Sequence, residues 1–282
     1  MDDDASTDVF DVVSQATRAD ILRALADFHR SEGADARLAY NDLRKRVGER
    51  DSGNFTYHLD RLDGLVEGGA DGYRLSRVGM RVVSMLRSGF LDTDWTWGPV
   101  DAPGECWTCG DDLCLRYEAG ALHVTCGDDD HALALYVPPS FLQSQPRDVV
   151  AERAGFLENR WGSLTRAGVC SECSGRVKGE LELWHGDPEH YVYHGDCHHC
   201  GFQHVLPVGL FLLGHPDVLA FHFDHGVDVR TVPFWTLDFC EPGAESVVSR
   251  APLRVRVVVE AGCETLSLTV DGDGEVVETE RT

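Results

Sequence analysis

The sequence predicts an α+β protein: a helical N-terminal module closed by a β-hairpin, then a longer β-rich region organised around paired cysteines. Three observations predict it. Apolar residues recur at spacings of three and four through most of residues 8–90. Beyond residue 105 they alternate over short runs instead, as half-buried strands do. All ten cysteines lie in that second part, and six of them form Cys-x2-Cys pairs.

The elements follow in order. Val9, Val12 and Val13 open an apolar stripe that Ile21, Leu22, Leu25 and Phe28 continue, so residues 8–30 read as helix. Thr17 is placed to cap a second helix from Arg18, which puts a joint near Ala16. Residues 31–37 read as a polar loop around Gly33. A short helix spans residues 39–47, with Leu43 and Val47 at i, i+4. Gly48–Arg50 turns, and Asp51 or Ser52 caps a helix to Asp63 with Phe55, Leu59 and Leu62 on one face. Leu65-Val66 and Tyr73-Arg74-Leu75 flank a glycine-rich turn, the pattern of a small hairpin. Ser76 begins a last helix carrying Val78, Val82, Val83 and Leu86 and ending at Gly89.

Residues 92–105, with two Trp, two Pro and several Asp, read as a linker. Leu113–Tyr117 and Ala121–Thr125 alternate as strands, and residues 148–167 read as a helical connector. Residues 168–206 hold two cysteine pairs flanking strands. Val208–His225 reads as helix interrupted at Gly214-His215-Pro216. Phe234–Phe239, Leu253–Glu260 and Thr265–Val270 read as strands, with Cys240 and Cys263 as core cysteines. The expected divisions are a helix-turn-helix with a wing at 1–91, a degenerate ribbon-like β unit at 92–147, the connector at 148–167, and a ribbon with an α/β segment at 168–282.

Composition sets limits. The 282 residues are 43% apolar, enough for two or three small cores. No apolar run approaches the roughly eighteen residues of a membrane span, and Met1-Asp2-Asp3-Asp4 is unlike a secretion signal. A cytoplasmic chain with thiols rather than disulfides is expected. The net charge is −23, and Lys45 and Lys178 are the only lysines, a composition like that of proteins from very salty cytoplasm. Residues 1–91 hold 13 Arg and Lys against 16 Asp and Glu; residues 92–282 hold 12 against 32. DNA binding therefore needs a local basic patch in the first part, because phosphate contacts need Lys or Arg.

Such a patch exists. With Phe55, Leu59 and Leu62 inward, the Asp51–Asp63 helix turns Gly53, Asn54, Tyr57, Asp60 and Arg61 outward, and Ser52 stands at its start. Asn pairs with adenine, Arg with guanine or phosphate, and Tyr with phosphate or a thymine methyl. Arg44, Lys45, Arg46 and Arg50 precede this helix, and Arg74 lies on the expected wing. Asp60 is an awkward member, since it repels phosphate.

The paired cysteines point to metal. Cys170-x2-Cys173 and Cys197-x2-Cys200, with 23 residues between, can supply four thiolates to one tetrahedral zinc. Four sulfur ligands leave no open position, so the site should be structural. Cys106-x2-Cys109 and Cys126 look like a second ribbon lacking a ligand. Asp129 or His131 can complete it, and Cys114 is a spare. Nine of the thirteen histidines lie between His185 and His225; His222 and His225 at i, i+3 are either a further site or ordinary cap and surface residues. No phosphate-binding loop, Gly-x-Ser-x-Gly elbow or HExxH is present, so an enzyme is not expected.

Two stretches carry a resemblance. Ala16-Thr17-Arg18-Ala19-Asp20-Ile21-Leu22-Arg23-Ala24-Leu25 is similar to the first motif of ArsR-type winged helix-turn-helix regulators. Phe55-Thr56-Tyr57-His58-Leu59-Asp60-Arg61-Leu62 resembles their recognition helix, in which His58, on the flank between core and groove, either touches phosphate or has a structural, half-buried role. The whole chain resembles haloarchaeal regulators that join this domain to a Cys-rich region, through Gly201-Phe202, residues 207–210, His215-Pro216 and residues 225–228. The resemblance implies a sequence-specific regulator of double-stranded DNA, commonly dimeric, with an unknown effector. Residues 39–50 contain no cysteine, so metal sensing through the third helix is not expected. Two other readings stay open: a protein-interaction module docking on transcription machinery, and a sensor whose thiols or metal switch its affinity.

Overall fold

The computed structural model describes residues 13–33, 35–127, 131–186 and 188–282. The protein has the expected mixed α+β make-up and forms two compact units, Met1–Asp92 and Thr93–Thr282.

The first unit runs α1 (Ala16–Glu32), α2 (Tyr40–Val47), α3 (Ser52–Asp60), β1 (Val66–Glu67), β2 (Arg74–Leu75) and α4 (Arg77–Arg87). Its core takes one face from each helix: Ile21, Leu22 and Leu25, then Leu43, then Phe55 and Leu59, then Val83. The caps explain the boundaries. Gln15, not Thr17, caps α1, because its longer side chain reaches forward to accept from the Arg18 N–H at 3.1 Å. The helix also runs on to Glu32, into the expected loop. Val9 and Val12 lie outside the described residues. Asp51 caps α3 by accepting from the Asn54 N–H at 2.9 Å. Ser76 caps α4 at the Gly79 N–H and donates its hydroxyl to the Gly64 carbonyl. α4 then lies so close to the turn before β1 that a Cβ on Gly79 would sit 2.0 Å from the Leu65 carbonyl oxygen.

Among its described residues the second unit holds three antiparallel sheets. The first runs β3 (Trp97–Glu105), β4 (Asp112–Glu118), β5 (Ala121–Thr125) and β6 (Leu133–Leu135) in sequence order. The expected linker is therefore mostly an edge strand. Pro99 and Pro103 are tolerated there because an edge leaves one side unpaired, and two register shifts against β4 break the alternation that would have revealed it.

Next come α5 (Pro139–Ser144) and α6 (Val150–Arg166). The second sheet is β7 (Val177–Trp184), β8 (His190–Cys197) and β9 (Gln203–Pro207), followed by α7 (Val208–Leu212) and α8 (Pro216–Asp224). Phe234–Phe239 is not a strand but parts of two single-turn 3-10 helices, Phe234–Thr236 and Asp238–Cys240. Phe234 and Trp235, then Phe239 and Cys240, are the buried pairs, which is a turn-like spacing rather than alternation. The third sheet is β10 (Ser246–Arg250), β11 (Leu253–Ala261), β12 (Glu264–Asp271) and β13 (Val276–Arg281).

One core joins all of this. Leu115, Leu122, Val150, Phe211, Trp235 and Leu268 belong to the same buried cluster, so the three sheets and α6 to α8 fold together. Close approach is built in with glycine: a Cβ on Gly209 would stand 1.9 Å from the Phe239 carbonyl oxygen. Cys240 is fully buried as expected, whereas Cys263 is exposed in the turn joining β11 to β12. Among the described residues no helix is long and apolar enough to cross a membrane.

Candidate functional site

Three short turns in the second unit share one hydrogen-bond pattern. At Cys170, the N–H donates to the Gly175 carbonyl at 2.9 Å, and the Ser174 N–H returns to the Cys170 carbonyl at 3.0 Å. At Cys197 the same two bonds run to Phe202 and from Gly201, at 2.9 and 3.0 Å. At Cys106 they run to Asp111 and from Gly110, both at 2.8 Å. Each turn curls the chain so that two sulfurs three residues apart converge. Left-handed backbone closes each one: Ser174 has φ 61°, Gly201 75° and Gly110 76°.

The Cys170 turn links α6 to β7, and the Cys197 turn links β8 to β9, so β7–β8 pairing brings the two together. All four sulfurs lie within 4.8 Å of one another. Cys170 Sγ is 3.8 Å from Cys200 Sγ, and Cys173 Sγ is 3.5 Å from Cys197 Sγ. A tetrahedron with bonds of about 2.3 Å has edges of about 3.8 Å, the zinc–thiolate geometry. Main-chain donors already favour thiolate: Gly175 N–H reaches Cys173 Sγ at 3.3 Å, and His199 N–H reaches Cys197 Sγ at 3.4 Å. The Cys200 N–H, with that of His199, holds the Cys197 thiol down to about 6. The Gly175 N–H pulls Cys173 down too, but burial and the three neighbouring thiols push it up to about 12. A Cβ at Gly175 would stand 3.0 Å from Cys173 Sγ and 3.2 Å from Cys197 Sγ, so the cradle is shaped around the sulfurs. The residues fit a tetrahedral, thiophilic ion.

The second cluster is Cys106, Cys109, Cys126 and His131, whose ligand atoms also lie within 4.8 Å of one another. Cys106 and Cys109 come from the β3–β4 turn, Cys126 follows β5, and His131 precedes β6. Cys109 Sγ is 3.6 Å from Cys126 Sγ, which is 3.6 Å from His131 Nδ1. Burial raises the Cys106 thiol, but the Cys109 and Thr108 N–H groups and the neighbouring thiols outweigh it and leave it at about 7. His131 is thus the fourth group present; Asp129 lies outside the described residues. Cys114 is not in the cluster and faces Thr125 across β4–β5. The donor set, three thiols and one imidazole, fits zinc as well.

Several of the other histidines are engaged elsewhere. His194 bonds Glu182 and His204 bonds Thr165, each at 2.9 Å. His222 and His225 donate to the Val218 and Phe221 carbonyls of α8 and its end, which is a capping role.

In the first unit, Ser52, Gly53, Asn54, Tyr57 and Arg61 are exposed along one side of α3. His58 is not: it is 7% exposed, on the core side of the helix, so it offers no surface for phosphate. Acidic neighbours hold several of the rest. Asn54 Nδ2 donates to Glu49 Oε2 at 2.8 Å. Arg44 donates to the Arg50 carbonyl at 2.8 Å, and Lys45 stands 3.7 Å from Asp42. Arg46 lies over the Phe28 ring at 5.2 Å. Arg74 pairs with Glu67 and Asp35 at 2.8 and 3.1 Å. Arg61 lies over the Tyr57 ring at 5.7 Å, and Arg50 is exposed. The sequence reading missed Glu49, Glu67 and Asp35 as partners. The signal for Glu67 was its place on β1 opposite Arg74.

The geometry defines a two-unit α+β protein with, among the described residues, two four-residue clusters able to hold metal in its larger unit. Residues 103–276, more than half of the chain, match the family described as Domain of unknown function (DUF7351), and the chain belongs to that family. Residues 6–86 match Domain of unknown function (DUF7347). The chain matches no curated protein and no solved structure.

Proposed function

We propose that this protein is a sequence-specific, DNA-binding transcriptional regulator whose first unit is a winged helix-turn-helix of the ArsR type. The observation that carries the reading is α3. It is a short helix anchored by Phe55 and Leu59, with Gly53, Asn54, Tyr57 and Arg61 exposed on its outer side and a hairpin following it. The resemblance of residues 16–25 and 55–62 to ArsR-type regulators supports it. The protein acts as a homodimer: α4 exposes Val78 and Met85, followed by Phe90 and Leu91, an apolar strip that a second copy would cover. Zinc occupies both cysteine-rich clusters and shapes the second unit; it does no chemistry on substrate. The protein is not an enzyme, and it works in the cytoplasm.

Binding requires Asn54 to leave Glu49, and Arg74 to trade Glu67 for phosphate. The cost of these exchanges favours a selective contact over a general affinity for DNA. The same engagement supports a second reading, in which the unit docks on protein. Crosslinking and immunoprecipitation from the native host separates them. Sharp promoter peaks sharing a two-fold motif support the regulator; occupancy that follows RNA polymerase supports docking. In vitro, in molar KCl, Asn54→Ala with Arg61→Ala should weaken operator binding at least 100-fold while leaving the melting of the unit unchanged. Unchanged affinity would overturn the assignment of α3 as recognition helix.

A further inference from the structure

A cavity of about 310 Å3 opens in the second unit against the Cys106–His131 cluster, and both Cys106 and His131 line it. Its deeper wall is apolar: Leu113, Val124 and Trp235 are buried there. Trp107 and Trp184 complete an aromatic lining. The indole N–H of Trp107 donates to the Trp235 carbonyl, and that of Trp235 to the Pro103 carbonyl, each at 3.0 Å. These two bonds fix the rings and leave only their carbon surface for a guest. Glu105, Thr108 and His190 supply a few polar groups. A small, mostly apolar cavity with preset walls and few polar groups is the usual build of a small-molecule site.

The walls come from separate places. One side is the β3–β4 turn with β4 and β5; the other is the β7–β8 hairpin, at Trp184, Gly186 and Pro188. A guest would touch two members of the Cys106–His131 cluster and this hairpin at once. The lining, rich in indole and proline and poor in charge, selects a flat, weakly polar molecule of one or two rings.

We propose that this cavity is an effector site for a small planar aromatic molecule, and that its occupancy alters the metal centre at Cys106, Cys109, Cys126 and His131. The second clause rests on the reading that this cluster holds metal. By linkage, guest and metal then change each other's affinity by the same factor.

The full chain, loaded with Co2+ in molar KCl, is titrated with indole, p-cresol and toluene. Heat of binding is followed by calorimetry, and the metal by its absorption bands. The expected result is one-to-one, saturable binding of at least one probe, with Kd between about 10 μM and 1 mM for ligands this small. The bands of the three-thiolate, one-imidazole centre shift, and those of the four-thiolate centre do not. Trp184→Ala, at an exposed position, weakens binding at least 5-fold; Leu133→Trp, which fills the cavity, abolishes it. Absence of saturable binding for all three probes overturns the site, as does binding that neither substitution changes. Binding with unmoved bands overturns the coupling. Uptake of a single Co2+, by the four-thiolate centre, defeats the metal reading of Cys106–His131 and the coupling with it, while the calorimetry still decides the cavity.

Discussion

Glu158 lies in α6 almost wholly inside the second unit, and burial pushes its carboxyl up to about 8. In the unfolded chain the same group ionises near its ordinary value of 4.5. Between those two values the unfolded state has released a proton that the folded state retains. Stability therefore falls as pH rises from about 4.5 to about 8, and is level above that. Glu158→Gln removes the dependence. It should raise the melting temperature at pH 8, by an amount worth on the order of a few kcal/mol, and leave it nearly unchanged at pH 4.5. Equal effects at both values would mean that Glu158 is ionised in the folded chain. Nothing in the sequence marked this residue, because a lone Glu in an acidic chain looks like surface. The cysteine ligands were legible at this scale, since spacing alone brings two sulfurs to one turn. His131 was legible only as one of two choices; its ring lies beside the three sulfurs, while Asp129 lies outside the described residues. The state of Asn54 was not legible: its amide is held by Glu49, five residues earlier, through a bend that no periodicity reports.

Elements were readable where one physical signal dominated. α3, α4 and the β11–β12 hairpin follow from apolar period and cap residues, and their bounds differ from the reading mainly at the ends. β3 was hidden by its prolines, and the 3-10 turns at 234–240 by the ambiguity of a short apolar run. Packing between elements was hidden altogether. Gly79 is the case in point, since its missing Cβ lets α4 meet the Leu65 carbonyl. In an exposed helix Gly→Ala stabilises. Here the added carbon would lie 2.0 Å from backbone, which cannot yield as a flexible side chain does. Gly79→Ala should therefore destabilise the first unit by about 3 kcal/mol. In calorimetry the transition of that unit moves down and that of Thr93–Thr282 stays in place. A rise in melting temperature would show that α4 is free to shift away from the hairpin.

At the scale of the molecule, the question is how much of the second unit depends on metal. Its main core, from Cys106 to Val270, does not include Cys170 or Cys197; these form a separate small cluster with Val177, against which Phe202 packs. Without an ion that cluster has little apolar surface to hold it. β7 and β8 also contribute Leu181, Tyr191 and Tyr193 to the main core, so the sheet has a second anchor. Chelation should thus loosen the turns without unfolding the unit. The amides of Cys170, Ser174, Cys197 and Gly201, bonded only within their turns, should exchange with solvent at least 100-fold faster after metal removal. Amides of β12 should keep their protection, and the first unit should melt as before. The Cys106–Cys126 turns rest against Leu113 and Val124 of the main core, so the loosening there should be smaller. Collapse of protection throughout Thr93–Thr282 would mean instead that the ions nucleate the whole unit, with the three sheets secondary to them.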